Sequence, residues 1–243
     1  MANTTAFEKL HISFNARFDE YGDWLVPSVY SDVDTEYAAI QNGIAAVDLS
    51  AFGRVSITED SEIDALNSIT ELDISMMYEN SWAYTAVVTP GREQAKPVRV
   101  IRKISEYTLL TMPADTQYVI SVLESVNGSG DGIRDISAKT AMLGLYGPKA
   151  LELVTKILPV DISGIEPGQV MVHKVFMMNL TGIRGSWAGG DGVEIICPSM
   201  AAQLAGSSIE KYSGRYNIVP AGMEALTRAI RQSDMPNKPE SLK

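Results

Sequence analysis

Residues 82–111 read WAYTAVVTPGREQAKPVRVIRKISEYTLLT. Trp82 to Val88 alternates in hydrophobicity, and so does Pro97 to Ile104, which predicts two antiparallel strands. The Pro-Gly pair in TPGREQAK, residues 89–96, predicts the turn between them. Glu106 to Thr111 predicts a third strand. Around this group, helices and strands alternate without the repeated βαβ pattern of a dinucleotide-binding sheet, and no glycine-rich motif joins an early strand directly to a helix. The expected fold class is therefore α+β, with antiparallel sheets and packed helices.

Working outward towards the N-terminus, DVDTEYAAIQNGIA from Asp32 predicts a helix. Acidic residues crowd its first turn, Tyr37, Ala38, Ala39 and Ile40 give it an apolar face, and Gly43 is placed to end it. Short strands follow at 46–49 and 53–57, then a helix from Ser61 to about Ser68. Residues 11–30 mix aromatics with Asn, Asp, Gly and Pro, the composition of an approach segment with short extended pieces. Towards the C-terminus, 113–126 predicts a helix, and NGSGDG at 127–132 is the best internal boundary. Beyond it come a strand at 141–145, a helix starting at Pro148, a strand pair at 169–181, a glycine-rich loop, a strand at 193–197, and a helix over 199–211. Pro220-Ala221-Gly222 opens a last helix before the polar tail DMPNKPESLK. The expected subdivision is 1–126, 133–236 and a tail at 237–243.

The 243 residues carry 20 Lys plus Arg against 30 Asp plus Glu, a formal charge of −10. That balance disfavours nucleic acid, whose backbone is bound by concentrated cations, and leaves room for a local basic pocket. A single cysteine, Cys197, forms no internal disulfide and suits a reducing compartment. His11 and His173 have no acidic residue at metal-site spacing, so no metal site is expected. The start carries no signal-peptide pattern and no run is long enough to span a membrane, so the expected setting is cytoplasmic.

The stretch GIRGSWAGGDGVEI, 182–195, is the most informative for chemistry. Its glycines imply tight turns or close approach. Trp187 either covers its own hairpin loop or stacks at a pocket edge on a flat ligand. Glu194 either faces solvent or accepts paired N–H donors from a heterocycle, since a buried glutamate requires such partners. In the 89–96 turn, Arg92 and Lys96 are either solvated loop charges or the cations a carboxylate ligand would need. Trp82 and Tyr84 share one strand face, where sheet aromatics are commoner than ligand contacts. His11 lies near Phe14 and Arg17 without a Ser, Cys or Asp relay. No G-x-S-x-G, P-loop, H-E-x-x-H or C-x-x-C motif occurs.

Several segments in order resemble the aminomethyltransferase family, the T-protein of glycine cleavage and its folate-binding relatives. These are His11, Ala16, Arg17, Trp24, Pro27 and Tyr30; Glu36, Ala39 and Gly43; Val47-Asp48-Leu49-Ser50; and Tyr84-Thr85. Further along come Leu145-Tyr146-Gly147-Pro148-Lys149-Ala150, Gly190-Asp191-Gly192-Val193-Glu194-Ile195 and Pro220-Ala221-Gly222. Together they cover roughly residues 11–236. The resemblance implies an aminomethyltransferase-like fold that binds tetrahydrofolate in a central channel, with Glu194 holding the folate edge-on and Tyr84 as an aromatic contact. It also implies one-carbon transfer from an amine, ether or sulfonium, which depends on holding the acceptor nitrogen within attack distance.

The sequence departs from the family at defined points. Gln94-Ala95-Lys96-Pro97-Val98 stands where glycine-cleaving enzymes carry Gly-Gly-x-x-Asp-Asp. Leu226 stands where the family has an arginine, with Arg228 and Arg231 nearby to compensate. The chain stops before the family's small C-terminal barrel, so a partner subunit or a second copy is expected to cover the surface left. The expected activity is a tetrahydrofolate-dependent methyl or aminomethyl transferase, demethylase-like rather than glycine-cleaving, acting on a small one-carbon donor. Lys96, His11 and Tyr84 are the expected catalytic groups, and Glu194, Tyr84, Trp187, Arg228 and Arg231 the expected folate contacts. The alternatives are a non-catalytic folate-binding or scaffolding subunit, and a fold relative acting on another small molecule.

Overall fold

The computed structural model describes residues 2–58, 60–88, 95–127, 130–157, 161–175 and 177–234. Chain contacts divide it into two units: residues 2–51 with 139–234, and Phe52–Ala138. The units are thus threaded through one another in sequence, where the sequence reading set them end to end with a boundary at 127–132. Two residues of that boundary, 128 and 129, and the tail 237–243 lie outside the described residues.

The first unit opens with β1 (Asn3–Thr4), α1 (Glu8–Ser13), β2 (Arg17–Tyr21), β3 (Trp24–Val29), α2 (Val33–Asn42) and β4 (Ile44–Asp48). It resumes with β10 (Thr140–Tyr146), α5 (Ala150–Ile157), β11 (Val170–Val175), β12 (Met178–Arg184), β13 (Gly192–Pro198), α6 (Ala202–Tyr216), β14 (Ile218–Pro220) and α7 (Met223–Gln232). Between these, the second unit holds β5 (Gly53–Ile57), α3 (Asp60–Ile69), β6 (Ser81–Val87), β7 (Lys96–Arg102), β8 (Tyr107–Thr111), α4 (Thr116–Asn127) and β9 (Ile133–Asp135).

The main sheet of the first unit runs β11-β12-β13-β10-β4-β14. Because β10 pairs with both β4 and β13, a strand from before residue 52 and one from after residue 138 share a ladder. That shared ladder is why the unit is discontinuous. Its core lies on one face, where Ile44, Ala46, Leu143, Leu145, Val193 and Cys197 pack with Leu153 and Val154 of α5 and Ile209 of α6. The sheet is mixed rather than purely antiparallel, since β14 runs parallel to β4, and in the small sheet β1 runs parallel to β3.

Local chemistry explains α2. Asp32 caps it by accepting from the Thr35 N–H at 2.8 Å, which satisfies one of the donors a helix start leaves open. Gly43 ends it as expected, although with φ at −121° and not in the left-handed region. Glu36, inside the same helix, is wholly buried. Its Oε1 accepts from the N–H groups of Tyr30 and Ser31 at 2.6 and 2.7 Å, and its Oε2 from Gly222 at 2.8 Å. One carboxylate therefore ties the end of β3 to the entry of α7.

In the second unit the antiparallel sheet runs β6-β7-β8-β5-β9. Val55, Val87, Val98, Val100 and Leu109 form its core face against Leu66 and Ile69 of α3 and Val119, Val122 and Leu123 of α4. The opposite face carries Arg54, Arg99 and Thr108, all buried. The expected meander over 82–111 is present as β6, β7 and β8, with its turn at 89–94 outside the described residues. The expected α+β class holds; β1, α1, β9 and β14 are elements the sequence left unread. No helix among the described residues is long and apolar enough to cross a membrane.

Candidate functional site: a buried glutamate on the six-stranded sheet

The 193–197 segment forms a strand whose alternation puts Val193 and Cys197 into the helix-covered core and Glu194 on the other face. Glu194 is nonetheless wholly buried, so its solvent-facing alternative does not hold. The Tyr146 hydroxyl donates to Glu194 Oε1 at 2.7 Å, and the Trp187 backbone N–H donates to the same oxygen at 3.1 Å. Both donors offset the cost of burying a carboxylate.

The ladder shows how Tyr146 reaches it. Gly144 lies opposite Glu194, and Tyr146 lies opposite Gly192. A Cβ at Gly144 would sit 2.9 Å from Tyr146 Cζ, and one at Gly192 would sit 2.7 Å from its Cδ1. The Tyr146 ring therefore lies over two strand positions that must lack side chains. On β12, the Arg184 guanidinium reaches the Gly192 carbonyl at 3.2 Å and the Asp191 carboxylate at 2.5 Å. With the Gly185 N–H bonded to the Gly192 carbonyl, this closes the 185–191 loop. Gly189, at φ +76°, packs so close to Ser233 that a Cβ would approach its Cβ to 2.6 Å. Trp187 is fully buried, and its backbone N–H reaches Glu194.

His11 sits in a second buried cluster of the first unit. Its Nε2 meets Asp48 Oδ2 at 2.8 Å and Thr5 Oγ1 at 3.2 Å, while the Tyr30 hydroxyl meets Nδ1 at 2.8 Å. The Ser50 N–H donates to the other Asp48 oxygen at 2.8 Å. Burial alone would raise the Asp48 carboxyl. The hydrogen bond and charge attraction from His11, with bonds from Thr5 and Ser50, hold it below the usual carboxylate range. Burial, then the charges of Asp48 and Glu36, push the Tyr30 phenol well above its ordinary value. Asp48 thus supplies the acidic partner that no local spacing around His11 revealed, since it lies 37 residues away.

The remaining expected site residues have these surroundings within their own units. In the second unit, Lys96 pairs with Asp115 at 2.8 Å and stands 5.6 Å from the Tyr118 ring centroid. Tyr84 meets Trp82 edge-on at 5.1 Å, and the Arg99 guanidinium stands 4.0 Å from the Trp82 ring and 5.5 Å from the Tyr84 ring. On α7 of the first unit, Arg228 pairs with Asp34 at 2.5 Å and lies 4.3 Å from the Tyr37 ring. Arg231 is exposed, while Leu226 is fully buried in α7. Arg92 lies outside the described residues. Sequence reasoning singled out Glu194 as a candidate and missed the side chain that meets it: Tyr146 lies 48 residues away, and the β10–β13 pairing brings the two together.

The chain is similar to the aminomethyltransferase of Thermotoga neapolitana, 22% identical over 228 residues, covering 93% of this chain and 62% of the relative. It is 25% identical over 240 residues to that of Acidobacterium capsulatum, covering 95% and 62%. The chain thus spans about 62% of the length of these curated relatives. Its fold is like that of the glycine cleavage system aminomethyltransferase T from Bartonella henselae, with a TM-score of 0.82 at 16% identity over 95% of this chain and 62% of that one. A chain of the heterotetrameric sarcosine oxidase from Corynebacterium sp. U-96 gives a TM-score of 0.52 at 14% identity, over 77% of this chain and 93% of that one. Residues 7–231 match the GCVT N-terminal domain, so the chain belongs to that family.

Proposed function

We propose that this chain binds tetrahydrofolate through Glu194 and serves a one-carbon transfer of the demethylase kind rather than glycine cleavage. The observation that carries the reading is a carboxylate fully buried on a sheet face and oriented by Tyr146 and Trp187. Such a group suits the paired N–H edge of a pterin, because an ionised carboxylate is an acceptor only and prefers charge-assisted donors. The names of the relatives, aminomethyltransferases, support the same class.

When bound, the folate supplies the nitrogen that accepts the one-carbon unit. The residues of this chain supply position: Tyr146 fixes the Glu194 rotamer, Gly144 and Gly192 make space for Tyr146, and the 185–191 loop adds the Trp187 N–H to the carboxylate. Lys96 in its pair with Asp115 also favours a second reading, a folate-binding subunit that performs no turnover by itself. The enclosure of His11 by Asp48, Tyr30 and Thr5 points the same way.

The test is anaerobic calorimetry of tetrahydrofolate and 5-methyltetrahydrofolate against the protein and its Glu194→Ala and Glu194→Gln forms, each checked for folding by circular dichroism. Saturable binding that weakens about a hundredfold in both variants is expected, the loss of two charge-assisted hydrogen bonds. Binding unchanged in a folded Glu194→Ala protein would sink the assignment. Turnover of methylated amines, ethers or sulfonium compounds then separates the enzyme from the subunit that only binds.

A further inference from the structure

On the other face of the six-stranded sheet, away from Glu194, the first unit contains a cavity of about 120 Å³. Among the described residues, its lining is apolar except for Ser208. Phe7, Leu145, Cys197 and Ile209 form part of its inner wall, and Leu204 of α6 lines it while being 63% exposed. Ser208 does not make the wall polar, because its hydroxyl donates to the Leu204 carbonyl of its own helix at 3.0 Å.

We propose that this cavity is a binding site for a small uncharged hydrocarbon group, a six-carbon ring or a short alkyl chain, independent of the folate site. Three observations support it. The size is comparable to apolar cavities of roughly 150 Å³ that stay dry and take benzene. The wall offers water almost no partners and would leave a charge desolvated, and the chain's formal charge of −10 opposes a carboxylate further. Finally, Met178 lines the cavity, and a flexible thioether re-packs around ligands of varied shape.

Cys197, the only cysteine of the chain, lines the cavity and is 5% exposed, so its thiol reports on occupancy. The experiment measures the rate at which a disulfide reagent modifies Cys197 with increasing benzene, 1-hexanol or hexanoate, together with calorimetry of the same compounds. Benzene and 1-hexanol are expected to bind saturably and slow the thiol reaction at least fivefold, with hexanoate at least tenfold weaker. Ala205→Phe, which fills the cavity from α6, is expected to abolish binding; Ala201→Leu serves if that variant fails to fold. Undiminished binding in a folded filled variant, no protection of the wild-type thiol, or equal affinity for hexanoate would each overturn the proposal. So would a sedimenting dimer, insensitive to benzene, that either filling variant dissolves, because the occupant would then be a second copy. Glu194→Ala should leave the thiol protection unchanged, so failure here and failure of the folate reading are separable.

Discussion

Asp48 shows how a single side chain can anchor a segment. Its carboxylate receives His11 from α1, and His11 receives Tyr30 from beyond β3, so a start that makes few sheet bonds is tied to the main sheet. The buried Asp48 carboxylate meets His11 and accepts from the Ser50 N–H, and Asp48→Asn, which weakens those charge-assisted bonds, is expected to cost about 3 kcal/mol at pH 7. The pH dependence has a definite sign. Because folding holds the Asp48 carboxyl below its ordinary value, its contribution is full above about pH 4 and is lost as pH falls through the folded value. Urea titrations between pH 7 and pH 2 should show this acid-dependent loss in the wild-type protein and a smaller one in Asp48→Asn. An equal loss in both would remove Asp48 from the account. At Glu194 the corresponding change is Tyr146→Phe, which deletes one donor and leaves the ring between Gly144 and Gly192. Folate affinity measured by calorimetry is expected to fall about tenfold with little change in folding.

At the scale of elements, the entry of α7 is fixed by contact and charge together. Gly222 donates to Glu36, and a Cβ on it would lie 2.2 Å from the Ser28 carbonyl oxygen and 2.7 Å from the Val29 nitrogen. Neither backbone atom can step aside without moving β3. Gly222→Ala is therefore expected to destabilise the protein by about 3 kcal/mol or more, read by thermal unfolding. Arg228→Ala, on the same helix, removes a surface pair with the exposed Asp34 and a stacking contact with the Tyr37 ring, and should move the midpoint far less than Gly222→Ala. A larger effect from Arg228 than from Gly222 would show that surface charge, not backbone packing, docks the helix.

At the scale of the whole molecule, continuity in sequence separates the two units. The second unit, Phe52–Ala138, contains its complete five-stranded sheet and both helices of its core. The first unit needs β4 from before that insertion to pair with β10 and β14 from after it. The fragment 52–138 is expected to unfold cooperatively in urea and to retain slow amide exchange in β5, β7 and β8. The fragment 139–234, whose β10 has lost one neighbour, should do neither. Cooperative unfolding of 139–234 would show that β4 is dispensable to the larger sheet.

How much of this was legible from sequence follows the range of the interactions. Asp32 and Gly43 bound α2 through partners three or four residues away, so a local reading placed both ends. The alternation from Trp82 to Thr111 carried β6, β7 and β8, because period-two burial is written into consecutive residues. By contrast, α1 is six residues long, below the length at which helical periodicity is readable, and it is held by His11 reaching Asp48. The three residues of β14 carry no alternation and owe their strand geometry to β4. Glu194 drew attention because it leaves the glycine-rich loop within a stretch, Gly190 to Ile195, that resembles the family, yet its burial and its Tyr146 partner were not readable.

By itself, then, the sequence determined the α+β class, the bounds of α2 and α3 and the three-stranded meander, and its ordered motifs pointed to the family. Each of these depends on residues close together along the chain. The tertiary structure alone decided that the units are interleaved, that His11 belongs to Asp48, that Glu36 joins β3 to α7, and that Tyr146 orients Glu194. Those arrangements join residues 37 to 186 positions apart, where sheet pairing and burial, rather than local propensity, choose the partner.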